Sequence, residues 1–375
     1  TVGGAANFAS TVTVVGAAHL QSTASIGGAA TFASTVTVVG AAHLQSTASI
    51  AGNTVVGGTL RVAGATSLEG AVDLNSTLTV AGAVSLASTL SVGGAANFAS
   101  TVTVVGAAHL QSTASIGGAA TFASTVTVVG AAHLQSTASI AGNTVVGGTL
   151  RVAGATSLEG AVDLNSTLTV AGAVSLASTL SVGGAANFAS TVTVEDAAHL
   201  QSTVSVGGAA VFASTVTVVG AAHLQSTASI GGAATFASTV TVVGAAHLQS
   251  TVSTGGAATF ASTVTVVGAG TFKDDVSVSG NTVLGGTLRV AGATSLEGAV
   301  DLNSTLTVAG AVSLASTLSV GGATNLASTV TVVGAGTFKD DVSVSGNTVL
   351  GGTLRVAGAT SLEGAVDLNS TLTVA

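Results

Sequence analysis

The sequence predicts an all-β chain wound as an elongated parallel β-helix. Three observations carry that reading. A six-residue frame runs without a slip from Val2 to Val374, apolar and polar residues alternate inside each hexad, and nearly every hexad ends in Gly or Ser. Alternation at period two is a strand signal, and a strict period of six does not supply the 3.6-residue period of a helix.

Every sixth residue from Val2 onward is Val, Leu, Ile or Phe at 62 of 63 positions, Thr254 being the exception. Two residues earlier stands Ala, Val, Leu, Thr or Gly, as at Val12, Ala18 and Ala24. Two residues later stands Gly or Ser, except at Asp196, Asp274 and Asp340. Thr11-Val12-Thr13-Val14-Val15-Gly16 shows the hexad in full: positions two and four point inward, one and three outward, and five and six form a corner. Gly and Ser suit tight corners, Gly because it tolerates positive φ. A strand this short buries too little alone, so successive coils must stack. Pro, which removes a ladder donor, is absent.

Longer repeats bear on the coil size. Residues 2–104 recur at 92–194, and residues 263–309 recur at 329–375. A three-sided coil of three hexads divides the first shift, fifteen hexads, but not the second, eleven hexads; a two-sided coil of two hexads divides neither. The three-sided coil is the reading. The two-sided one stays as the alternative, because Gly-ending and Ser-ending hexads alternate locally and Arg61 lies two hexads before Asp73.

Composition narrows the function classes. Charged residues are 5% of the chain, against about 25% in ordinary domains. Six Lys and Arg against fourteen Asp and Glu speak against nucleic acid. No Cys is present, so no disulfide framework or thiolate metal site is expected. Apolar runs are broken everywhere by Gly, Ser and Thr, so no membrane insertion is expected. Thr1 and Ala375 both fall in mid-pattern. Residues 1–375 therefore read as one continuous repeat shaft, a segment without caps of a longer protein whose anchor and tip domains lie outside it.

The order large aliphatic, three residues, small residue in Val14-Val15-Gly16-Ala17-Ala18-His19 and Phe32-Ala33-Ser34-Thr35-Val36-Thr37 resembles the hexapeptide repeat of left-handed parallel β-helices. The texture of Ser88-Thr89-Leu90-Ser91-Val92-Gly93-Gly94-Ala95 resembles the low-complexity shafts of phage and algal-virus tail fibres and of giant surface adhesins. That resemblance implies a prism made by a single chain or by three chains. The hexapeptide acyltransferases use inserted loops and a catalytic His; this chain has no insertion.

Residues able to carry chemistry each have a plainer reading. The seven His (His19, His43, His109, His133, His199, His223, His247) all occupy Ala-Ala-His-Leu-Gln-Ser at outward parity, one per hexad. A metal site needs three or four converging ligands, so no metal site is expected. Ser, His and Asp could form a triad only in a pocket, which flat faces do not offer. Gly-Gly pairs such as Gly57-Gly58 are corners without the Lys or helix of a phosphate loop. The carboxylates of Lys273-Asp274-Asp275, Lys339-Asp340-Asp341 and Glu195-Asp196 are too few at each corner for Ca²⁺ and read as solvated corners. Asn75, Asn165, Asn303 and Asn369 each open Asn-Ser-Thr, the N-glycosylation acceptor, at outward positions beside a corner. Thr-x-Thr, as in Thr11-Val12-Thr13, resembles ice-binding solenoids, but with three hexads per coil Thr11/Thr13 is followed by Ala29/Thr31, Thr47/Ser49 and Ala65/Ser67.

The expectation is a non-catalytic structural shaft or spacer of an extracellular, cell-surface or virion-surface fibre. It takes no cofactor and associates with itself as a homotrimer or bundle. The alternatives are an ice-binding β-solenoid and a surface- or polysaccharide-binding adhesin module.

Overall fold

Inward apolar residues at positions two and four flank one outward residue, and three residues of strand are all that each hexad forms. The computed structural model describes residues 1–375 and contains 62 strands, each covering positions two to four of a hexad, from Ala6–Phe8 to Leu372–Val374. Within Thr1–Phe188 and within Ala189–Ala375, strands pair in parallel with those three hexads on, as in Val36↔Thr54, Thr37↔Val55 and Val38↔Val56. One chain therefore closes a three-sided coil, and the fold is an all-β parallel β-solenoid with three sheets and no helix. The two-sided coil falls. Arg61 lies between His43 and Thr79, and Asp73 between Val55 and Ser91, so positions two hexads apart stand on different faces.

The chain divides into two compact halves, Thr1–Phe188 and Ala189–Ala375. In the N-terminal half, face I starts with the strand Ala6–Phe8, face II with Val12–Val14 and face III with Ala18–Leu20. The C-terminal half repeats the architecture, its three faces starting with Val192–Val194, Ala198–Leu200 and Val204–Val206.

The core is the pair of inward ranks. Val92, Val104 and Leu164 are fully buried, as are their counterparts Val206 and Val320. Burying a Val or Leu side chain is worth roughly 1.5–3 kcal/mol. A strand contributes two such residues, and only the coils above and below make their burial complete. Bulk is balanced within the strand: each of the ten Phe follows an Ala or a Gly two residues earlier, as in Ala96/Phe98 and Gly270/Phe272. A Cβ on Gly270 would stand 2.9 Å from the Phe272 ring and 3.1 Å from the Leu284 side chain, so the ring takes the room its own strand leaves empty.

Position two also admits Thr. Thr54, Thr66, Thr144, Thr156, Thr282, Thr294, Thr324 and Thr348 are buried with unpartnered hydroxyls, as is Thr254 at position four. Thr254 is thus the one polar residue in its own rank but not the one buried hydroxyl without a hydrogen bond.

The corners correct one expectation. No residue has positive φ, glycine included. Glycine is needed there because successive coils touch: a Cβ on Gly40 would lie 2.8 Å from the Ser22 carbonyl carbon and 2.9 Å from the Thr23 nitrogen. The corner backbone continues the ladder around the bend. The Val12 amide donates to Ala29 O at 2.9 Å, and the Ala33 amide to Val14 O at 2.9 Å.

Candidate functional site

No inserted loop interrupts the hexads, so anything chemical must sit on the outward ranks of faces or corners. The position-three side chain stands in the middle of each face, and the three-hexad coil decides its neighbours. His43 lies between Ser25 and Arg61, and His133 between Ser115 and Arg151. His109 lies between Ser91 and Thr127, and His19 next to Thr37. In the C-terminal half His199 adjoins Thr217, His223 lies between Ser205 and Thr241, and His247 between Ser229 and Thr265. All seven are exposed, none neighbours another, and no three His, Asp or Glu side chains cluster to hold a metal.

Two of the three acidic corners, at Asp274-Asp275 and Asp340-Asp341, have a structural task. Asp275 accepts the Ala293 amide through Oδ1 at 2.7 Å, and Asp341 accepts the Ala359 amide at 2.7 Å. Asp274 and Asp340 each accept the amide of the next residue at 2.9 Å. Asn53, Asn143, Asn281 and Asn347 do the same as Asp275 at position one, Asn53 Oδ1 accepting the Ala71 amide at 3.0 Å. Position-one amides have no backbone acceptor at these corners, so a short Asn or Asp one coil earlier supplies it. Thr59 and Thr77 form a parallel corner ladder, Oγ1 to Oγ1 at 3.0 Å. These caps have no counterpart in the sequence reading. Their signal is Asn or Asp at position one, visible only once the coil length is known.

The four sequon residues Asn75, Asn165, Asn303 and Asn369 are all exposed, at position five of their corners. Asn75 and Asn165 lie on the same edge of the N-terminal half, since the fifteen hexads between them are five whole coils.

Thr-x-Thr pairs do not stack in the three-hexad coil. One rank nevertheless does. On face II of the N-terminal half, position three reads Thr13, Thr31, Ser49, Ser67, Ser85, Thr103, Thr121, Ser139, Ser157 and Ser175 without interruption. A shallow trough runs beside it between Thr47, Ala65 and Ala83 on one side and Ser49, Ser67 and Ser85 on the other. Reading pairs rather than single columns hides this rank. Faces I and III carry the charged and amide residues instead.

No protein-family model matches the sequence. No curated protein and no solved structure matches it. No helix is long and apolar enough to cross a membrane.

Proposed function

We propose that the chain is a non-catalytic structural spacer, the shaft of a fibre on a cell or virion surface, holding other parts of a longer protein apart. The observation that supports this most is the unbroken register: every hexad gives one strand and one corner, and every coil is closed by one chain. Each half advances about 4.8 Å per coil. On faces I and III of the N-terminal half outward residues change from coil to coil while the three-hexad register does not, which suits a part whose length matters more than its surface chemistry. The test is electron microscopy of the intact chain and of a variant lacking residues 92–181. That segment is five whole coils, so the spacer reading expects a folded particle shortened by about 24 Å. A variant of unchanged length, or one that fails to fold, contradicts it.

Face II favours a second reading, a binding surface for ice or for an uncharged polysaccharide. Ten consecutive hydroxyls without a charge in their rank make a flat, hydrogen-bonding strip. Replacing Ser67, Ser85 and Thr103 with Lys abolishes ice growth inhibition or glycan retention if that reading holds, and changes neither if it does not.

A further inference from the structure

The fifteen-hexad duplication and the three-hexad coil have a joint consequence on faces I and III of the N-terminal half. Because the duplication is five whole coils, each outward residue is repeated on its own face. Face I runs Arg61, Thr79, Asn97, Ser115, His133, Arg151. Face III runs Asp73, Ser91, His109, Thr127, Val145, Asp163. The two arginines are thus five coils apart on one flat face, and the two aspartates five coils apart on the next, about 24 Å in each case. All four are exposed, and no acidic residue adjoins either arginine along its face.

These are the only charges in the position-three ranks of this half when His is neutral. Arg61 also borders a shallow trough with His43, Gln45 and Ala63, whose small floor leaves room for a side chain from outside. The C-terminal half does not share the device. Its eleven-hexad repeat is three coils plus two thirds of another, so Arg289 and Arg355 fall on different faces, between Thr271 and Thr307 and between Thr337 and Thr373.

We propose that face III of one N-terminal half docks on face I of a second copy of this chain, Asp73 and Asp163 of one meeting Arg61 and Arg151 of the other. The occupant is a second copy because the two strips match in sign and in spacing. The flat ranks between the charges hold mostly Ser, Thr, Asn and His, so the faces can approach along their whole length. Two exposed charge pairs are weak singly, and acting together they set the register rather than supply the whole affinity. Face I and face III are different surfaces, so the contact is heterologous and copies add side by side until the rotation between them closes a ring. The result is a lateral array of aligned shafts. This deepens the spacer reading by naming the shaft's partner.

The test uses the full chain at low salt, by sedimentation velocity and electron microscopy. Wild type associates laterally. Arg61→Asp with Arg151→Asp makes both strips acidic and stops association. Asp73→Arg with Asp163→Arg makes both basic and also stops it. Mixing these two variants in equal amounts restores association, since each acidic strip then faces a basic one. Reversing Arg289 and Arg355 to Asp changes nothing. All the substitutions lie at exposed mid-face positions, and unchanged circular dichroism verifies that each variant is folded. A wild type that stays monomeric, reversed variants that associate like wild type, or a mixture that stays dispersed overturns the proposal. The spacer reading is judged separately, by the length of single particles.

Discussion

The amide of Gly64 donates to the carbonyl of Ser46 in the coil before it at 3.2 Å, and a Cβ added to Gly64 would lie 2.6 Å from that carbonyl carbon. The same Gly-over-Ser stacking recurs along the corners of the N-terminal half: each of the eleven corner serines from Ser10 to Ser166 has a Gly one coil later. Close approach of corner backbones therefore disfavours one side-chain-bearing residue following another in a column, and in the C-terminal half Ser214 over Asp196 is an exception. The colliding atoms are backbone and cannot swing away. Gly64→Ala is expected to destabilise its coil by about 1–3 kcal/mol, the usual scale of overpacking. Ser46→Gly costs only the small entropy difference. Thermal unfolding and amide exchange across residues 46–65 distinguish the two.

That relationship also explains what the sequence conceals and what it discloses. Strand, corner and inward rank are legible because period two and period six are written in every hexad, and Val36, Thr37 and Val38 fall where alternation puts them. The coil length is harder to read, because the alternation of Gly-ending and Ser-ending hexads looks like a two-hexad repeat. Stacking at two hexads would lay Ser22 on Ser10 and Ser34 on Ser22. Close approach of backbones favours the reverse, Gly over Ser, and with alternating hexads only an odd number per coil provides it. Three is such a number. The charge pair Arg61 and Asp73 misleads for a related reason: it is a relation between two faces, not a contact within one. The outward ranks, including the Ser and Thr column of face II, become legible only after the coil is fixed.

Thr254 has no exposed surface and its hydroxyl has no hydrogen-bond partner. A hydroxyl withdrawn from water without a partner costs roughly 1–3 kcal/mol. Val has nearly the same shape and fills the site between Phe236 and Phe272, the register neighbours of Thr254. Thr254→Val is expected to raise the thermal midpoint and to slow amide exchange in the strand Val252–Thr254. A lower midpoint would mean that the hydroxyl is satisfied in solution. Thr254→Ala, which leaves a void beside two rings, is expected to lower it.

Asn53 and Asn143 hold the amides of Ala71 and Ala161 at 3.0 Å each. Both caps are exposed, so the freed amide can turn to water, and the loss on Asn53→Ala lies near the low end of about 0.5–1.5 kcal/mol. The clearer readout is local. The Ala71 amide exchanges faster in Asn53→Ala while the Ala161 amide, held by its own Asn, does not change. Asn53→Asp keeps the acceptor and keeps Ala71 protected, as Asp275 does for Ala293.

Deletions separate the three periods of the chain. Removing three residues, for example 143–145, exchanges inward and outward positions downstream and turns Val and Leu to solvent, since the side-chain period of a strand is two. That variant is expected to unfold locally or aggregate. Removing the hexad 143–148 keeps parity. It also keeps Gly over Ser in each corner column of the N-terminal half, because the deleted Gly148 lies in the run Gly142, Gly148, Gly154, Gly160. That variant is expected to fold, with a thermal midpoint near that of wild type. Removing 101–106 instead brings Ser112 over Ser88, and it is expected to be less stable than the 143–148 deletion, although both lose one hexad. The 143–148 deletion also turns Arg151 onto the face of Asp73 and Asp163 onto face II without altering any charge. Lateral association should therefore fall while the fold survives. Equal stability of the two hexad deletions would show that corner packing does not set the coil. Tolerance of the three-residue deletion would count against the β-solenoid itself.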